Sequence, residues 1–155
     1  MDIPHFSDEQ RRRIVCVGES YQRLTDRPLV SHEGDPVKML WAAPFAIVAH
    51  GTEPDPVFFF GNRIALQLFE MEFDTFSRLP SRYSAEPLLR EERTRLLERV
   101  TRDGIIDDYS GVRISATGKR FRISNASVWT LTDAAGNAAG QAAAFSNWDY
   151  VVTGD

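Results

Sequence analysis

Cysteine and histidine are scarce in this chain, long apolar runs are missing, and positive charge is not in excess. Each shortage removes a class of function. A single Cys16 among 155 residues cannot close an internal disulfide or build a cysteine metal site without other ligands nearby. It is either a buried small hydrophobe or a reactive thiol. The three histidines, His5, His32 and His50, are widely spaced, so no metal-spaced cluster is present, and there is no phosphate loop or nucleophile elbow. The formal charge is −4 with acids and bases interspersed, which leaves no cationic field to hold a polyanion. Nucleic acid is not an expected partner. The longest apolar stretches, residues 40–49 and 57–60, are too short to cross a bilayer, and the opening "MDIPHFSDEQ" is acidic rather than basic. A protein without membrane segments, located in the cytoplasm, is the expectation.

What is present fits one globular domain: 43% apolar and 26% charged residues, enough to bury a continuous core. The segment "SDEQRRRIVCVGESYQRLTD" has capping-box spacing at Ser7 and Gln10. Ile14, Val17, Tyr21 and Leu24 fall on one face at helical intervals, which predicts an amphipathic helix. A loop rich in turn formers follows, then the short apolar run "FAIVAHG" and the turn "GTEPDP". Val57, Phe58, Phe59 and Phe60, bounded by Pro56 and Gly61, read as a strand buried on both faces, with Phe58 and Phe60 on one side and Phe59 on the other. Asn62 is a good N-cap for a short helix carrying Ile64, Ala65, Leu68 and Phe69.

After short turns, the longest clear helix spans Pro87 to Arg102, with Leu89, Leu96, Leu97 and Val100 as its buried stripe and Gly104 as its stop. Glu86–Arg90, Glu91–Arg95 and Glu98–Arg102 lie four apart in the favoured order for a solvated face. From Ile105 onward the period changes to two. "IIDDYSGVRIS", "KRFRISNASVWTLT" and "GQAAAFSNWDYVV" are joined by hairpin-grade turns and predict three antiparallel strands.

The order strand, strand, short helices, long helix, three strands resembles the PAS fold over roughly residues 45–150. More closely, "FFFGNRIALQLFE", "LPSRYSAEP", "RDGIIDDYSGVRIS", "RFRISNASVWTLTDAAG" and "GQAAAFSNW" are similar to the MEKHLA domain, a PAS-like domain known from plant class III homeodomain leucine-zipper proteins and small bacterial proteins. The resemblance implies an α+β, PAS-like architecture: a five-stranded antiparallel sheet with helices on one face and an additional N-terminal amphipathic helix. Residues 1–44 would form that helix and its connecting loop, and residues 45–152 the PAS-like domain. No output module is apparent in the chain.

Within that topology the strand parity assigns faces. If the turn at Thr117-Gly118 pairs Ser115 with Arg120, and Thr132 pairs with Gly140, one face carries Asp108, Ser110, Asn125, Ser127, Trp129, Phe145 and Asn147. That face is apolar at its ends and polar in its middle. It suits a sheet lining a ligand cavity, with aromatic walls and a few orienting polar groups; the plainer alternative is that the polar groups satisfy one another. Arg82, in the loop that runs along the mouth of a PAS cavity, either pairs with a ligand carboxylate or forms an ion pair with Glu86 or Glu72. The opposite face, with Ala126, Val128, Ala142, Ala144 and Trp148, has to be covered. The N-terminal stripe of Ile14, Val17, Tyr21 and Leu24 is the expected cover, docking there or pairing with its copy, and the expectation is a homodimer in which the two helices and sheet faces meet with Tyr21 and Trp148 near the contact.

The cofactors of PAS proteins can be weighed residue by residue. Haem-binding versions often draw an axial histidine from the long helix, which here has none, and flavin photosensors of the LOV type use a cysteine in the helical region after the second strand, whereas Cys16 lies in the first helix. Haem and LOV-type flavin adducts are disfavoured, and the thioester cysteine of photoactive yellow protein is missing for the same reason. Asp107 and Asp108 are adjacent on a strand and point to opposite faces, so they do not form a working carboxylate pair. The expectation is a sensory or ligand-binding domain for a small organic molecule or another protein, not an enzyme. The alternatives are a dimerisation module with a filled interior and, behind it, a small NTF2-like enzyme.

Overall fold

The computed structural model describes residues 1–85 and 90–152. The helices are α1 (Asp8–Thr25), α2 (Pro36–Trp41), α3 (Arg63–Phe69), α4 (Phe73–Phe76) and α5 (Arg90–Asp103), with a 3₁₀ turn at Ser81–Ser84. The strands are β1 (Ala46–His50), β2 (Phe58–Gly61), β3 (Ile105–Ile114), β4 (Arg120–Thr132), β5 (Ala138–Phe145) and β6 (Asn147–Tyr150). They form one sheet in the order β2-β1-β5-β4-β3, and every pairing is antiparallel. β6 pairs with the first half of β4 and β5 with the second half. Ser124 faces Asn147 and Ser127 faces Ala144, so the register carries through and β5–β6 is one strand interrupted at Ser146. The expected α+β, PAS-like five-stranded sheet with an added N-terminal helix is therefore the architecture found.

Local signals set most of these elements. Ser7 accepts from the Gln10 amide at 3.1 Å while Gln10 Oε1 accepts from the Ser7 amide at 2.7 Å, closing the capping box at the start of α1. Gly104, at φ 78°, donates to the Val100 carbonyl and ends α5 in the left-handed conformation that glycine tolerates. Asn62 does more than cap α3. Its Oδ1 accepts from the amides of Ala65 and Ile47 at 3.1 and 3.0 Å, and its Nδ2 donates to the carbonyls of Phe45 and Leu40 at 2.8 and 3.2 Å. One fully buried side chain thus joins α2, β1 and α3 with its hydrogen-bonding capacity used.

Both C-terminal hairpins pair one residue away from the expected register. Ile114, not Ser115, faces Arg120, and Leu131, not Thr132, faces Gly140. Gly140 sits at φ 123° beside a bulge at Leu131/Thr132, and a Cβ there would collide with the His50 carbonyl oxygen. That close approach of β1 holds the shifted register. A one-residue slip exchanges faces: Trp129 pairs with Ala142, so Phe145 looks out of the opposite side from Trp129.

The alternation also resets in mid-strand. Phe121 packs on Phe69 of α3 at 5.3 Å between ring centroids, yet Val128, five positions after Ile123, also faces the helices, where it meets Val100 and Ile106. The phase changes at Asn125, an exposed residue at φ 54°. β3 has its irregularity between Ile106 and Tyr109, and β5–β6 breaks at Ser146. Three neighbouring strands therefore each reset near one level of the sheet, which lets both ends present apolar side chains to the helices.

A bulge at Ala49/His50 likewise parts the phenylalanines of β2. All three are buried. Phe58 stacks on Phe76 at 4.3 Å, Phe60 pairs with Ala49 and meets Phe6 edge-on at 6.5 Å, and Phe59 lies under the Arg13 guanidinium at 4.1 Å. Phe58 and Phe60 do not share a side as plain alternation requires.

α1 lies across the sheet face that carries Trp129. Trp129 Nε1 donates to the Val17 carbonyl at 3.1 Å, Tyr21 meets the indole edge-on at 5.0 Å, and Ile14 and Val17 are fully buried. At the end of β4 the Thr132 carbonyl accepts from Arg23 Nη2 at 2.6 Å, Cys16 Sγ at 3.1 Å and Ser20 Oγ at 3.3 Å. Two expected docking residues are elsewhere. Val128 packs under α5, and Trp148 meets Phe145 at 6.0 Å on the other side, because the register and the resets reverse their parity. The stripe is covered by its own chain, with Leu24 left 39% exposed beside Gly104.

On α5 the Glu–Arg spacings do not form ion pairs among the described residues. Arg99 instead binds Asp108 of β3 through Nη2 at 2.6 and 2.8 Å, and Arg102 binds Asp103. Glu86, Pro87 and Leu89 lie outside the described residues. No described helix is long and apolar enough to cross a membrane.

Candidate functional site

The sheet face opposite α1 encloses a cavity of about 200 Å³ with α5 and the 3₁₀ turn. Its floor is built by strand pairing: Val48 faces Ala143 and Ala143 faces Val128, while His50 faces Gln141. Phe58, Phe69, Ile123 and Phe145 supply an aromatic and aliphatic wall, and Leu96 and Leu97 close it from α5.

Polar groups enter from three places. At the rim, Arg82 Nε donates to both carboxylate oxygens of Asp55 at 3.0 and 3.2 Å, and this pairing raises the Arg82 pKa above its ordinary value. The partner of Arg82 is therefore Asp55, rather than Glu72; Glu86 lies outside the described residues. From β3 come Tyr109 and Arg113, four residues apart on one face. Arg113 Nη2 donates to the Tyr109 hydroxyl at 3.3 Å. Gly111 between them makes this possible: a Cβ there would stand 2.5 Å from Tyr109 Oη, so only a glycine lets the phenol lie back along the strand. Arg113 is half-buried, and among the described residues no carboxylate stands within ion-pair distance of it. On β1, His50 Nδ1 donates to the Gly51 carbonyl at 3.0 Å, which places a proton on Nδ1.

The residues singled out from the sequence separate into four groups. Phe145 and Arg82 line the cavity. Trp129 and Ser127 lie on the α1 side, where Trp129 is fully buried. Asp108 and Ser110 border a shallow groove along the β3 edge, with Asp108 committed to Arg99. Asn125 and Asn147 are exposed near the phase reset. Sequence reasoning passed over Tyr109 and Arg113 as cavity residues. Their signal was present in "YSGVR": a glycine midway between a tyrosine and an arginine that share a strand face.

The fit of an adduct-forming flavin is decided by position. Cys16 donates to Thr132 on the α1 side of the sheet, and α3, which follows β2, carries no thiol. The residues here do not fit that chemistry. Among the described residues, no group of three or more His, Cys, Asp or Glu is placed to hold a metal ion.

Comparison with known proteins gives one family and one fold. The MEKHLA domain family profile matches residues 11–150, a span that begins inside α1 and so takes in the helix as well as the sheet. No curated protein sequence matches the chain. Among solved structures the chain is similar to a PAS domain from Colwellia psychrerythraea, with TM-score 0.59 and 13% identity over 74% of this chain and 92% of that one. It is similar also to the LOV domain of the blue-light photoreceptor Aureochrome1, with TM-score 0.53 and 19% identity over 82% and 90%. A PAS domain from a two-component sensor histidine kinase gives TM-score 0.54 and 12% identity over 74% and 91%. At these identities the likeness establishes the PAS fold.

Proposed function

The chain belongs to the MEKHLA domain family, and from that premise we propose that it is a sensory domain whose cavity binds a small organic molecule and whose sheet passes occupancy to α1. The observation that carries this reading is the position of the cavity. It lies on one face of the sheet and α1 on the other, with Val128 and Trp129, consecutive in β4, serving the two faces. A ligand that spreads or tightens β4 and β5 would change the seat of Trp129 directly. The neighbours named as a blue-light photoreceptor and a sensor histidine kinase support a sensory role by fold analogy alone.

The reading is binding without turnover. Asp108 of β3 is held by Arg99 on the edge of the sheet, and Asp55 is held by Arg82. Neither is placed as a general base beside a nucleophile. An open, mostly apolar cavity with a few polar groups also favours a ligand over an interior filled by side chains.

The test is native mass spectrometry of protein purified from its own host, with extraction of any bound compound, followed by amide hydrogen exchange with and without it. Bound compound and altered protection in both the cavity strands and α1 is the expected result. Empty protein, together with no protection change for any member of a small-molecule library, would refute the proposal.

A further inference from the structure

Arg113 presents an electrostatic problem that the chain does not solve with its own described residues. Its guanidinium carries five donors, of which the Tyr109 hydroxyl takes one. It stands half-buried at the edge of an apolar cavity, where an unpaired charge is unfavourable. Arg82, the other arginine among the described residues that line the cavity, is already paired with Asp55.

Resting on the reading that the cavity binds a small molecule, we infer that its ligand is a small monocarboxylic acid. The carboxylate would lie against Arg113 and Tyr109, and the hydrocarbon part among Phe58, Phe69, Ile123 and Phe145. A guanidinium fork matches a carboxylate bidentately, and a tyrosine hydroxyl already oriented beside it adds a donor. A guanidinium with no carboxylate partner among the described residues matches one negative charge, which favours a monoanion over a phosphate dianion. The size agrees: about 200 Å³ falls below the roughly 300–1,000 Å³ of pockets for drug-sized ligands. Gln141, beside His50 in the sheet, supplies a further donor and acceptor for a substituent on the acid.

The experiment compares acids with their neutral isosteres on the whole chain: phenylacetate against phenylacetamide, and 3-methylbutanoate against 3-methylbutanamide, by isothermal titration and by amide chemical shifts at Gly111 and Gln141. The acid should bind at least about tenfold more tightly than its amide, and Arg113→Gln should abolish that preference. Arg113→Lys, which keeps the charge but not the fork, should fall between. Equal binding of acid and amide by the unsubstituted chain, or a preference that survives in R113Q, overturns the carboxylate assignment while leaving the cavity reading intact. If neither acid nor amide shifts any cavity amide, while extraction yields a neutral compound, the carboxylate assignment again fails alone. No binding of any compound, with empty protein from the host, overturns both. Should R113Q fail to fold, the acid-to-amide ratio of the unsubstituted chain decides the matter.

Discussion

The indole Nε1 of Trp129 donates to the main-chain carbonyl of Val17, 112 residues earlier in the chain, at 3.1 Å. This bond, with the edge-on contact of Tyr21, seats α1 on β4. Trp129→Phe keeps an aromatic ring but loses the donor and part of the buried area, and should cost about 1–3 kcal/mol by urea denaturation. Amide protection in α1 should fall more than in β1. An unchanged midpoint would show that the helix is held by Ile14 and Val17 without the indole.

Asn62 is the polar joint of the helical layer. Asn62→Ala strips partners from two amides and two carbonyls within the core, and the loss should reach roughly 3–5 kcal/mol. A cost below about 1 kcal/mol would mean that water or local rearrangement replaces the side chain.

Asn125 serves the backbone. Because it holds φ 54° at the phase reset, Asn125→Gly should leave stability unchanged or slightly raised. Asn125→Val forces a β-branched residue into the left-handed region and should cost about 1–2 kcal/mol or more. Equal stability of the two variants would refute the conformational argument.

Gly111→Ala places a methyl group where Tyr109 Oη now lies. The phenol must swing away from Arg113, so the variant should fold and yet bind 3-methylbutanoate several-fold more weakly, with the loss reproduced by Tyr109→Phe. Undiminished affinity in both variants would remove Tyr109 from the ligand site.

Asp35 caps α2 through the Val37 amide and pairs with Arg11 of α1 at 2.7 Å. The hydrogen bond from Arg11, opposed in part by desolvation, holds its pKa below the ordinary value. A carboxylate depressed in the folded state contributes stability above its unfolded pKa and loses it as pH falls through the folded value. Asp35→Asn should therefore be less stable than the parent at neutral pH, and the gap should close below about pH 4. A gap of constant size across that range would show that the charge on Asp35 is not what matters.

The elements were legible where the signal is local. The capping box at Ser7, the cap at Asn62, the stop at Gly104 and the three late strands each depend on a few adjacent residues. The site was less legible, since face assignments rest on a register that a single residue reverses. The glycine contact of Gly140 with β1 and the reset at Asn125 are tertiary facts. One trace of the reset does stand in the sequence: in "ISNAS", Ser124 and Asn125 put two polar residues between Ile123 and Ala126 and break the alternation. The partner of Arg82 was hidden differently, since Asp55 lies 27 positions away with no pattern linking them.

The bond between α1 and β4 also fixes an order of events during synthesis. The first helix emerges from the ribosome long before residues 129–132, so its apolar stripe of Ile14 and Val17, although α2 and β2 reach it earlier, gains its seat on Trp129 only when β4 is made. Contacts of such long span slow productive folding and leave the nascent helix open to transient association. Within the domain α1 is translated well before the strand that seats it, and chaperone dependence during synthesis should concentrate there.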